Sequence, residues 1–223
     1  MRFGNAGNLY VVDAQLGRVE IYDSGLNYVR QIVLTNLGTL HSFALTKANE
    51  WVILASVTNT KAVIHLLDSL GAPTRSFLPI RDVRPVGTTS SAWFNNLADF
   101  RFAIRGDTAF VVSTVTDSLW WVDLHSGALG ALHIPIPGYR QMREPQPSDH
   151  IPRTPEGLFQ HLKQFDATAA IVTLPKQIVI SFVRGVLNFG DPQTLAIFHD
   201  VFSGGWRLLP VQSFYRESFR LVR

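Results

Sequence analysis

"GNLYVVDAQLGRVEIYDSGLNYVRQIVL" (residues 7–34) holds three β-type runs in 28 residues, separated by turns that contain glycine. Leu9-Tyr10-Val11-Val12 joins aromatic and β-branched side chains, which fit a buried pleated strand. Asp13-Ala14-Gln15-Leu16-Gly17 supplies a polar loop with a glycine where a positive φ is needed. Val19 and Ile21 then alternate with Arg18, Glu20 and Tyr22, Asp23-Ser24-Gly25 turns the chain, and Tyr28–Leu34 forms the third run. Three strands joined so closely make an antiparallel meander.

The pattern recurs along the chain. Trp51–Val57, Ala62–Asp68, Ser69-Leu70-Gly71 and Arg75–Ile80 repeat it, as do Ala109–Val115, Leu119–Asp123, His125-Ser126-Gly127 and Ala128–Ile136. A fainter copy runs through Ile178–Val183, Thr194–His199, Phe202–Gly205 and Trp206–Val211. The acid closing the second strand falls at Asp23, Asp68 and Asp123, spaced by 45 and 55 residues, the period of a propeller blade. One short strand precedes each later unit, at His41–Leu45, Phe100–Arg105 and Thr168–Leu174. Four strands per unit predict an all-β fold, a β-propeller of four-stranded antiparallel blades in a single domain over 1–223. The first unit shows no strand before Asn8, whereas Glu217–Arg223 reads like Asp99–Arg105, so Arg216–Arg223 is expected beside Leu9–Val12 if the chain closes on itself.

The opening stretch resembles an NHL-type repeat in Gly7–Asp13, in Arg18–Asp23 and in the turn glycine Gly25; the other units share the strand pattern and turn glycine. That resemblance implies a six-bladed ring. With four blades countable, the chain reads as part of a six-bladed propeller, and a four-bladed ring is the alternative. Asp13 and Arg18 flank one hairpin loop and are expected to pin it by charge-assisted hydrogen bonds rather than to touch a ligand. The turn acids Asp23, Asp68 and Asp123 fit Asx turns, their carboxylates accepting from backbone N–H groups two residues on.

Composition narrows the function. The chain is 46% apolar and 17% charged with a net charge of +3, which points to a globular core and neither to nucleic acid nor to a membrane span. It has no cysteine, which excludes disulfides, thiolate metal sites and cysteine nucleophiles. Met1–Gly7 contains no apolar signal-peptide core, so nothing in this chain directs export; a signal peptide upstream would make the protein an exported one.

Catalytic signatures are sparse. The sequence carries no G-x-S-x-G elbow, H-E-x-x-H pair, phosphate loop or dinucleotide fingerprint, and its seven histidines lack metal-ligand spacing. No cofactor is expected. The innermost strands and the loops before them offer His41, Asp99, Arg101 and Asp166, where a hydrolase or lyase with a channel metal would place its groups. That enzyme is the alternative to the leading reading, a non-catalytic recognition module for a protein, peptide, carbohydrate or small anionic ligand. A structural blade array within a larger exported protein is the third.

Binding is expected on the face that carries loops between a blade's second and third strands and between successive blades. The longest such connection is 138–165, and long loops in compact domains serve as lids or binding loops. Within it, Thr154-Pro155-Glu156 predicts the start of a short helix carrying Leu158, Phe159 and Leu162. Arg140 and Arg143 are the expected anchors for a carboxylate or phosphate, and Tyr139 with Trp93 of the preceding loop the expected flat contacts.

Overall fold

The computed structural model describes residues 2–4, 7–34, 37–57, 61–83, 100–114, 116–134, 139–142, 154–174, 177–184, 194–201 and 205–208. They form four four-stranded sheets, and in each the strands pair in sequence order. The first sheet contains β1 (Arg2–Phe3), β2 (Leu9–Asp13), β3 (Arg18–Tyr22) and β4 (Tyr28–Val33). The second contains β5 (Leu37–Leu45), β6 (Trp51–Val57), β7 (Ala62–Leu67) and β8 (Pro73–Pro79). The third runs through β9 (Phe100–Arg105), β10 (Thr108–Ser113), β11 (Ser118–Asp123) and β12 (Leu129–His133). The fourth has β13 (Asp166–Leu174), β14 (Gln177–Arg184), β15 (Thr194–Val201) and β16 (Gly205–Leu208). Among the described residues two short helices, α1 (Ile80–Val83) and α2 (Pro155–Leu162), follow the second sheet and precede the fourth. The chain divides into two compact units, Met1–Val83 with Phe102–Phe110 and Trp121–Gly130, and Arg84–Arg101 with Val111–Trp120 and Ala131–Arg223.

The first sheet corrects one expectation. It has a first strand of its own: β1 pairs antiparallel with β2 through Arg2 opposite Tyr10 and Phe3 opposite Leu9. The turn between them closes through Gly4 N–H to Asn8 O at 2.9 Å and Gly7 N–H to Gly4 O at 3.0 Å. A two-residue strand carries no alternation, so the sequence pattern does not register it. The edge of β2 at Leu9 and Tyr10 is therefore taken; Arg216–Arg223 lie outside the described residues.

The repeated turn acids do local work. Asp23 Oδ1 accepts from the backbone N–H groups of Gly25 (2.9 Å) and Asn27 (2.8 Å), and Asp68 Oδ1 from Leu70 (2.8 Å) and Ala72 (2.9 Å). Asp123 Oδ1 accepts from His125 (3.0 Å) and Ser126 (2.6 Å). The backbone bonds from Asn27 and Ser126 favour the ionised forms of Asp23 and Asp123 and hold these two carboxyls below the usual carboxylate range. Asp13 caps its loop similarly, accepting from Leu16 N–H at 3.0 Å. Its partner Arg18 grips more strongly elsewhere: Nε lies 3.6 Å from Asp13, but Nη2 is 2.9 Å from Glu20 and Nη1 donates to Gln31 at 3.0 Å.

Burial follows strand register. In β3, Val19 and Ile21 are buried and the residues between them are half-exposed, so the first sheet has one core face. That face packs Val19, Ile21, Ile32 and Leu34 against Phe43, Trp51, Ile53 and Leu67 of the second sheet, and Tyr10 meets Trp51 edge-on at 5.7 Å. Each such aliphatic side chain contributes about 1.5–3 kcal/mol by leaving water. In β7, Val63 to Leu67 are all buried, as expected of a strand covered on both faces.

His65 of β7 is buried within this arrangement. One ring nitrogen lies 2.8 Å from Ser76 Oγ and the other 3.2 Å from Ala55 O, and burial lowers its pKa from the ordinary 6.5. The folded protein thus holds the neutral ring while the unfolded chain takes up a proton below 6.5, so stability falls as pH drops through that value. Urea midpoints measured from neutral to mildly acidic pH should fall for the native protein and fall less for His65→Gln; equal slopes would exclude His65 as the cause.

Candidate functional site

The strongest polar constellation joins the β10–β11 connection, the segment after β12 and the start of β13. His133, ending β12, places Nδ1 3.4 Å from Asp117 Oδ2, and Ile134 N–H donates to Asp117 O at 2.7 Å. Tyr139 follows, its ring edge-on to Phe182 of β14 at 5.8 Å and its hydroxyl donating to Thr116 O at 3.4 Å. Burial raises the Tyr139 phenol pKa far above its usual value, and the charges of Asp117 and Asp166 add to the shift. The Thr116 hydroxyl is buried there with no hydrogen-bond partner among the described residues.

Three hydrogen bonds join Arg140 and Asp166. Arg140 backbone N–H donates to Asp166 Oδ2 and Nη2 to Oδ1, both at 2.9 Å, while Asp166 N–H donates to Arg140 O at 2.8 Å. Gln141 forms a parallel bridge with Asp166 beside them. The Asp166 side chain is 3% exposed and that of Arg140 49%, so a buried carboxylate is neutralised by a guanidinium that still faces solvent with further N–H donors. Residues 141–165 accordingly leave and return at one point. Within them α2 begins where proline at the first helical position predicts, with Thr154 Oγ1 accepting Gly157 N–H at 3.1 Å as its cap, and Leu162 is buried.

Of the four expected ligand contacts, the structure brings Tyr139 and Arg140 together, each bound to neighbours within the protein; Trp93 and Arg143 lie outside the described residues. Among the channel-strand groups, Arg101 Nη1 donates to Phe100 O at 3.0 Å, His41 is half-buried in β5, and Asp99 lies outside the described residues. Sequence reasoning takes Arg140 for a free surface charge and misses its pairing with Asp166, since nothing local links positions 26 residues apart.

No protein-family model matches this chain, and no curated protein matches it. Solved structures do. One is a protein of Bacteroides fragilis, 8% identical at a TM-score of 0.57, with 94% of this chain aligned to 56% of that one. A chain of the mitotic checkpoint complex aligns at 11% identity and TM-score 0.52 over 96% and 51%, respectively. A streptogramin B lyase aligns at 12% and 0.50 over 96% and 54%. The fold is a β-propeller. The four sheets are its blades, and the chain spans about half the length of the structures it matches. At these identities the likeness concerns the propeller fold alone. Among the described residues no helix is long and apolar enough to cross a membrane.

Proposed function

We propose that the protein is a non-catalytic recognition propeller, NHL-like and of six-bladed type, that binds a negatively charged peptide, carbohydrate or small ligand on the face carrying the β10–β11 and β12–β13 connections. The observation that carries this reading is the closure of 141–165 at the Arg140–Asp166 pair. A long loop whose two ends are fixed on a rigid scaffold is the usual seat of binding residues, because its position is set while its sequence is free to specify a ligand. Arg140 and Arg143 supply the positive charge, and Trp93 and Tyr139 the flat surfaces. Of the groups a channel metal would draw on, the Asp166 carboxylate is already held by Arg140.

Calorimetric titration with a heparin-derived tetrasaccharide and with an acidic peptide, at low and high salt, tests the proposal. Binding should weaken as salt rises, and Arg143→Ala should weaken it further at an unchanged ligand-free melting temperature. Binding indifferent to both salt and Arg143→Ala, or no binding of either probe, would overturn it.

A further inference from the structure

In the third blade, the β9–β10 and β11–β12 turns lie at the strand ends opposite the β10–β11 connection. Beside them, within the first compact unit, a cleft of about 360 Å³ is lined by Glu50, Leu66, Leu67, Arg75, Asp107 and Leu124. Arg75 of β8 is fixed by neutral groups: Nη1 donates to the carbonyl oxygens of Leu124 at 3.0 Å and His125 at 2.9 Å, and the guanidinium lies 4.9 Å from the Phe77 ring centroid. Among the described residues no carboxylate pairs with Arg75. The Asp107 carboxylate has no partner among them either, and that of Glu50 meets only the Thr46 hydroxyl at 3.3 Å.

The cleft therefore carries both signs of charge, and they do not neutralise each other. A purely anionic ligand would face two carboxylates, and a purely cationic one a fixed guanidinium. A molecule bearing both charges satisfies each, and charge complementarity of this kind governs which partner is accepted. The volume lies at the small end of the range for small-molecule sites, which excludes an extended peptide. We propose that this cleft binds a free α-amino acid, its carboxylate on Arg75 and its ammonium between Glu50 and Asp107. The site shares no residue with the one proposed above and stands or falls independently of it.

Calorimetric titration of the full chain with L-leucine, N-acetyl-L-leucine and L-leucinamide tests the assignment. Leucine should bind and raise the melting temperature, while the two blocked derivatives, each lacking one charge, should bind about tenfold more weakly or worse. The double variant Glu50→Gln, Asp107→Asn alters exposed side chains and should keep the ligand-free melting temperature while losing about tenfold or more in leucine affinity. Absence of leucine binding, equal binding of the blocked derivatives, or leucine affinity retained in the double variant would each overturn the proposal.

Discussion

Replacing Gly71 by alanine is expected to lower the unfolding free energy by about 3 kcal/mol, from a left-handed backbone cost plus overpacking. Gly71 adopts φ +85°, and a Cβ there would sit 2.8 Å from both Ile32 Cγ2 and the backbone oxygen of Val33. The second of these contacts is with main chain in the first blade, which cannot rotate away as a side chain would. The melting temperature should fall by roughly 6–12 °C for a chain of this size. Gly106→Ala is the matched control: its φ is +59°, but nothing lies within 4 Å of the point a Cβ would occupy, so it should cost only the backbone share, about 1 kcal/mol. Urea titrations of the two variants separate clash from conformation. Equal losses would mean that the approach of the β7–β8 turn to the first blade is not tight.

Arg140→Ala is expected to cost about 2–3 kcal/mol, because it takes the ion-pair partner away from the buried Asp166 carboxylate. The exposure of the Arg140 side chain keeps the loss below that of a fully buried pair. Adding Asp166→Asn removes the stranded charge while keeping an oxygen to accept the Arg140 N–H, so the double variant should be more stable than Arg140→Ala alone. Denaturant midpoints of the three proteins decide the matter. A native-like midpoint for Arg140→Ala would show that the pair does not hold the ends of 141–165 together.

Strand positions were legible where side chains alternate. Val19 and Ile21 announced β3, the run Phe100–Arg105 announced β9, and the spaced aspartates announced turns whose N–H groups they bind. These signals are local, set by period and by groups a few residues apart. The β1 strand was invisible because two residues cannot display a period. Of the candidate site, the sequence displays the length of 138–165 and the presence in it of Arg140 and Tyr139. Their commitments were not legible, since the contacts of Arg140 with Asp166 and of Tyr139 with Phe182 are set by how successive strands return, not by neighbouring residues.

Because every strand among the described residues hydrogen-bonds to its neighbour in sequence, and the turn aspartates are satisfied within four residues, blade formation requires closure of short loops only. Chain entropy then favours early hairpins over distant pairings, and ordering can nucleate in any blade and spread to the next. The pairing of Arg140 with Asp166, by contrast, must wait for a 26-residue excursion to return. Hydrogen exchange during refolding should therefore protect the amides of β2–β4 before that of Asp166, making the closure of this loop a late event in the life of each molecule.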